Sequence, residues 1–452
     1  MLHANAVLRS QVAQVALEIS AMDTALEEKR AELKRLQHQL DAVTYPVLSL
    51  PPEITSEIFK QCLPTFRSQP DGIDPMQAPL LVSHVCSQWR QIALSTPALW
   101  KDSLDIDLAL RRRLGSNIVD TWLARAQQCP LSVRIQGPGY DYDEDSIRFF
   151  ERFRRHVSRM EFLDLDLYPA VFPEKTWPIE FPLLRKLSIL TADYEVPHDL
   201  AKMFGNVPQL SQVRLARFPA EIATLPWEQF QKFTGEFYEL SQCLDALRLM
   251  PNIVECTFSV HETRVGNNGH DMVSHSKIRT FTLSQSIPLD ETEDHPRSAQ
   301  LLAFITLPNL EILELLDIEG YDAHILASFL GRGSPPLKQI VLRPHLGSGQ
   351  TDLILDMAPL REPRFKYLEI WYPEKGFVSR FFECFGQDSG FLPGLEKLSF
   401  YCRGRKSRKK EASQRDVLLS AAESFNSRKA LTGVNQLLVL RARRAETTPV
   451  ER

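Results

Sequence analysis

Apolar residues at the start of the chain fall at alternating steps of three and four. Asn5, Leu8, Val12, Val15, Ile19, Met22, Leu26, Lys29, Leu33, Leu36, Leu40 and Val43 form one stripe in which only Asn5 and Lys29 are polar. That spacing puts every member on one helix face, and held over successive heptads it is the a/d seam of a coiled coil. No Pro or Gly interrupts it before Pro46, so the pattern predicts one long helix over 1–45. A seam this narrow either zips against another helix or lies on the protein's own body, and the sequence leaves both open.

Over 46–104 the period stays helical but the runs shorten. Pro51 and Pro52 open a helix carrying Ile54, Ile58 and Phe59, and Pro64 closes it. A second stripe of Leu81, Val82, Val85, Cys86, Trp89, Ile92 and Ala93 stops before Pro97, and a polar Pro- and Gly-containing insert separates the two. So small a trihelical module cannot bury this much apolar surface by itself, so a covering partner is expected.

From Met160 the pattern becomes apolar, two spacers, apolar, one spacer, apolar. It runs through Met160-Leu163-Leu165, Leu184-Leu187-Ile189, Leu210-Val213-Leu215, a weaker Phe230-Phe233, and Ile253-Cys256-Phe258. It continues as Ile278-Phe281-Leu283, Leu310-Leu313-Leu315, Leu337-Ile340-Leu342, Phe365-Leu368-Ile370 and Leu395-Leu398-Phe400. The units are on average about 26 residues apart, a spacing typical of stacked strand-and-helix repeats. Segments 240–250, 298–307 and 322–330 have helical periodicity, so each unit is expected to give a strand and a helix, stacked into a curved parallel sheet. Residues 106–156 would cap the array, with Trp122 and Leu123 on a helix and Leu131, Val133 and Ile135 on a strand.

The strand spacers Ser188, Arg214, Thr257, Thr282, Glu314, Val341, Glu369 and Ser399 share no sign or chemistry. One residue past the last anchor, four successive units carry Leu316, Arg343, Trp371 and Tyr401. Neighbouring strands lie about 4.8 Å apart, so these four should form a ladder on the concave face, widened by Tyr367. A guanidinium beside exposed rings is a candidate protein-binding patch; the alternative is a C-terminal helix or loop folded over it.

Composition narrows the class. The 452 residues are 43 % hydrophobic and 24 % charged, enough for a sizeable core. No apolar run reaches spanning length, and the N-terminus lacks the unbroken apolar stretch of a signal peptide. A net charge of -4 gives no global field toward nucleic acid or membrane. Seven cysteines without a CxxC pair, and no Asn-x-Ser/Thr sequon, point to cytoplasm and/or nucleus. The basic run at 403–410, RGRKSRKK, reads as a solvated loop or a nuclear-localisation element, ahead of a C-terminal helix near 415–425.

No catalytic or metal set emerges, and no cofactor is expected. His270 and His275 are not at the spacing of a zinc helix and read as surface residues. The runs at 331–336 (GRGSPP) and 347–352 (GSGQTD) lack the Lys of a phosphate-cradling loop and read as turns. The expectation is a non-catalytic interaction protein.

One resemblance sharpens this. Leu50-Pro51-Pro52-Glu53-Ile54, Ile58-Phe59 and Val85-Cys86 with Trp89-Arg90, followed by Ser95-Thr96-Pro97 and Leu99-Trp100, resemble the F-box pattern. Thr55 stands where that family usually has Leu, and the insert from about Arg67 to Pro79 lengthens the first connection. The units beyond resemble the leucine-rich repeats found behind F-boxes, without the Asn that normally follows the strand, so an irregular open arc is expected. The resemblance implies an α/β chain of three parts: a coiled-coil-type helix (1–45), a trihelical F-box-like module (46–104) and an irregular leucine-rich-repeat solenoid with a C-terminal helix (105–452).

It also implies a role as the substrate-recognition subunit of a ubiquitin ligase built on a Skp-type adaptor, cullin and RING protein. Leu50, Pro51, Ile54, Ile58, Phe59, Val82, Val85, Cys86 and Trp89 would meet the adaptor. Leu316, Arg343, Tyr367, Trp371 and Tyr401 would meet an unknown target protein. The rivals are a scaffold whose module has drifted from adaptor binding and a repeat-bearing enzyme.

Overall fold

A computed structural model describes residues 2–41, 46–64, 73–102, 104–108, 117–137, 149–151, 153–166, 180–191, 204–262, 271–285, 298–318, 323–344, 358–371, 375–402, 423–424, 426–428 and 439–444. The protein is mixed α/β and divides into two compact units, Met1–Leu63 with Pro75–Leu99, and Pro64–Asp74 with Trp100–Arg452.

The first unit is helical. Helix α1 (Leu2–Asp41) runs unbroken for 40 residues. Helix α2 (Pro52–Gln61) starts at a proline, whose missing N–H costs nothing at a first-turn position. The stripe from Leu81 to Ala93 makes two helices rather than one, α3 (Leu80–Val85) and α4 (Ser87–Leu94). The break is at Cys86, whose backbone is extended (φ -154°, ψ 172°) and whose sulfur accepts the Trp89 N–H at 3.5 Å, capping α4. Across the break Arg90 Nε donates to the Ser83 carbonyl at 2.9 Å. Phe59, Val82, Ile92, Ala93 and Leu99 are buried, with Trp89 edge-on to Phe59 at 4.9 Å between centroids. Thr55 is buried too, its hydroxyl donating to the Pro51 carbonyl, which is how a polar residue fills a position the resemblance assigns to Leu.

The second unit is built on strands β1 (Leu104–Asp107), β2 (Leu131–Gln136), β3 (Met160–Asp166), β4 (Lys186–Leu190) and β5 (Gln212–Ala216). Strands β6 (Lys232–Glu239), β7 (Glu255–Glu262), β8 (Val273–Ser274), β9 (Thr280–Gln285) and β10 (Ile305–Thr306) follow. Last come β11 (Ile312–Ile318), β12 (Gln339–Pro344), β13 (Tyr367–Trp371), β14 (Lys397–Cys402) and β15 (Val439–Arg444). All but β8 and β10 form one 13-stranded sheet in sequence order, open at both ends, while β8 and β10 pair separately. The pairings are parallel.

The repeat triplets account for this order. Their second and third anchors sit on β3–β7, β9 and β11–β14, every named anchor is buried, and register pairs like with like, as in Phe281↔Leu313 and Leu313↔Ile340. First anchors close turns: Leu210 N–H donates to the Val207 carbonyl, Ile253 to Met250 and Leu310 to Leu307. The weak unit Phe230-Phe233 has Gly235 where a third apolar anchor is expected. A Cβ there would lie 3.0 Å from Phe258 Cδ1 and 3.1 Å from Phe233 Cε1, so two neighbouring rings fill the place of its side chain.

Without an Asn ladder, adjacent units are joined by the backbone. One carbonyl takes two consecutive N–H groups of the next unit: Gln231 O from Val254 and Glu255, Arg279 O from Glu311 and Ile312, Lys338 O from Lys366 and Tyr367. Gln229 and Asn252 add side-chain bonds to the Val207 and Glu228 carbonyls at 2.7 and 2.8 Å.

Helices α5 (Asn117–Arg125), α6 (Leu240–Leu249), α7 (Ala323–Gly333) and α8 (Lys375–Gln387) occupy some connections, and 3-10 turns others. The helix expected over 298–307 is instead a 3-10 turn, Ser298–Ala303, followed by β10. The Phe304 and Thr306 carbonyls accept from the Val273 and His275 N–H groups in the β8 pairing. At the array's start Trp122 packs edge-on against Trp100 at 4.9 Å and its Nε1 donates to the Trp100 carbonyl. Of the C-terminal helix, only short helical stretches at 423–424 and 426–428 are described.

Candidate functional site

Two surfaces carry the candidate residues. On the helical unit, α2 turns Phe59 (1 % exposed) inward and leaves Ile54 and Ile58 at 51 % and 45 %. On α3, Val82 is inward and Val85 is 58 % exposed. Phe59 and Val82 are therefore part of the module's own core. Pro51 is exposed, while Leu50, Cys86 and Trp89 are half-buried. Val47 and Leu94 are exposed apolar residues that the sequence reading did not single out, and Leu81 of the second stripe is exposed as well.

On the sheet, the expected ladder is present. Leu316 pairs with Arg343 and Trp371 with Tyr401 in register. The Trp371 and Tyr401 rings stack at 4.2 Å with 13° between planes, and the Arg343 guanidinium lies 5.4 Å from the Trp371 centroid. All five predicted residues, Tyr367 included, are half-buried. Two carboxylates that sequence reasoning gave no role hold them. A bulge between Leu316 and Ile318 puts Asp317 at φ 53°, and Asp317 takes two bonds from Arg343, one at 3.0 Å. Glu369 accepts from Trp371 Nε1 at 2.6 Å and from the Tyr367 hydroxyl. Lys397 Nζ sits 4.2 Å from the Tyr367 ring centroid. Burial first, then the bond to Glu369, pushes the Tyr367 pKa up to about 12.

The same face at the other end of the sheet is an ion-pair network. Register aligns Asp105, Arg134, Asp164, Ser188 and Arg214 in one row. Arg134 Nε donates to Asp164 at 3.0 Å, while Arg214 donates twice to Glu236, at 2.8 and 2.7 Å, and once to Ser188. Burial, with Asp164 nearby, raises the Asp166 pKa. Reading the spacer row backward from Ser188 would have exposed the alternating signs.

His275 departs from expectation: it is buried, one ring nitrogen bonded to the Met250 carbonyl at 2.7 Å and the other accepting from the Lys277 N–H. The β8–β10 pairing draws it inward, where it closes a turn. His270, the run at 347–352 and the basic run 403–410 lie outside the described residues. Gly331–Gly333 end α7, so the 331–336 run is a helix end and turn. Cys243 and Cys256 are fully buried, and burial pushes both thiols up; Cys62 is exposed. Among the described residues no group of three or more His, Cys, Asp or Glu could hold a metal ion, and no helix is long and apolar enough to cross a membrane. No family model and no curated protein matches the chain.

Proposed function

We propose that this chain is the substrate-recognition subunit of a ubiquitin ligase assembled through a Skp-type adaptor, cullin and RING protein. The helical unit is then an F-box-like module, and the sheet unit an irregular leucine-rich-repeat solenoid whose Arg343–Trp371–Tyr401 face holds the target. The observation that carries the reading is the division of the F-box-like residues into two sets. Phe59 and Val82 build a core, and Ile54, Ile58 and Val85 stay uncovered, as apolar anchors for a partner do. The chain's contribution to catalysis is proximity, since tethering a target raises its effective concentration at the ligase.

Capture of a purified Skp-type adaptor tests this. Wild type binds, and Ile58→Glu with Val85→Glu, both at exposed positions and checked by circular dichroism, weakens binding at least about 30-fold, the equivalent of about 2 kcal/mol at a hot spot. Equal capture by the folded double variant, or none by wild type, would leave a non-ligase scaffold as the better account.

A further inference from the structure

Every described side chain of α1 from Val7 to Gln39 is exposed, and the apolar seam residues between Leu8 and Leu36 are 48–70 % exposed. The side-chain bonds of α1 are internal: Arg30 to Glu27 at 2.8 Å, Lys29 to Glu32 at 2.7 Å and Thr24 to the Ser20 carbonyl at 2.8 Å. A helix of 40 residues spans about 60 Å. Helices of proteins owe most of their stability to packing of an apolar face, and this seam has none from the described chain.

We propose that α1 pairs with α1 of a second copy of this chain, in parallel and in register, as a two-stranded coiled coil. The seam itself argues for a second copy. Its N-terminal half places Asn5, Val12 and Ile19 at a positions and Leu8, Val15 and Met22 at d, and β-branched residues at a favour two strands where Leu stands at d, as Leu8 does. In-register alignment sets the a position of Asn5 against its own copy, where a polar a residue specifies alignment and strand number. Lys29, the one charged seam residue, has Glu32 beside it on the same helix.

The flanking charges favour the parallel arrangement. Parallel pairing brings one kind of like-charged contact, Glu18 against Asp23 of the other copy, made twice by symmetry. An antiparallel pair centred on the same seam brings two kinds, Glu18 against Glu32, made twice, and Asp23 against Asp23. It also opposes Asn5 to Val43 and Lys29 to Ile19. The assembly then holds two helical modules and two sheets, so a partner with two sites binds more tightly than either module alone. This inference stands independently of the ligase reading.

Light scattering of the full-length chain at micromolar concentration should give twice the 51.7 kDa chain mass. Ile19→Glu with Met22→Glu puts charge on the seam at positions exposed in the single chain, so the variant should become monomeric while losing no more helical circular dichroism than the 40 residues of α1 supply. Leu17→Glu makes the same kind of change on the outer face and should remain dimeric. Val12→Cys, treated with a short bismaleimide, should cross-link to its twin beyond the wild-type background, because an antiparallel pair sets position 12 against 36. A monomeric wild type overturns the proposal, as does a dimer that survives the seam variant. A Val12→Cys dimer that does not cross-link overturns the parallel alignment.

Discussion

Glu369 shows how one residue fixes the candidate target surface. It lies between Tyr367 and Trp371 on the same strand face, and both donate to it. Hydrogen bonds to an ionised acceptor contribute about 1.5–3 kcal/mol each, and a donor left without its acceptor loses more than the bond. Glu369→Ala should therefore destabilise the sheet unit by about 2 kcal/mol in urea unfolding and let the Tyr367 pKa fall below about 12, with burial still holding it above the ordinary phenol value. Absorbance of tyrosinate during an alkaline titration reads this directly. The sign follows from proton linkage: the folded state holds the Tyr367 proton more tightly than the unfolded chain. Its stabilising effect is complete below the unfolded pKa and disappears as pH rises through the folded one. A variant with unchanged urea midpoint and unchanged titration would show that the carboxylate positions neither ring.

At the level of elements, Gly235 occupies the one repeat where the apolar triplet fails. Restoring the pattern with Gly235→Leu would satisfy the periodicity and crowd Phe233 and Phe258, which already stand 3.0–3.1 Å from a Cβ at that site. Overpacking of this kind costs about 1–3 kcal/mol, so the variant should melt earlier than wild type, and a higher melting temperature would refute the packing account. The strands were legible in the sequence because period-two burial repeats in every unit, and even the deviant unit kept Phe233 in place. Strands β1, β15 and the β8–β10 pair were not, because each is short or lies outside the triplet rhythm and is defined by its neighbour. The break at Cys86 depends on backbone geometry that a continuous apolar stripe conceals. The inward turn of Phe59 beside the outward Ile58 reflects which side of α2 its companions cover. Periodicity supplied the Arg343–Trp371–Tyr401 ladder, while Asp317, brought there by a bulge, could not be read from it.

Within the 13-stranded sheet each strand pairs only with the strand before and the strand after it in the sheet order, so stability is nearly a sum over adjacent units and opening spreads from the ends. The centre carries a run of packed rings. Phe233, Phe258 and Phe281 meet edge to face at 5.9 and 6.3 Å, and the Tyr238 hydroxyl donates to the buried Phe218 carbonyl at 2.6 Å. By contrast β1 has 4 residues and stands at the end of the sheet among the described residues. Amide exchange should accordingly be slowest in β6, β7 and β9 and much faster in β1. Two internal reporters extend the test, because Cys243 on α6 and Cys256 on β7 are buried and their thiols are held protonated, whereas Cys62 is exposed. Iodoacetamide near pH 8 should label Cys62 in native buffer and leave Cys243 and Cys256 intact. As urea rises, their labelling should begin only after β1 has lost protection. A single transition shared by β1 exchange and Cys256 labelling would mean that the 13 strands unfold as one block, and nearest-neighbour stacking would then be the wrong description of what holds this sheet together.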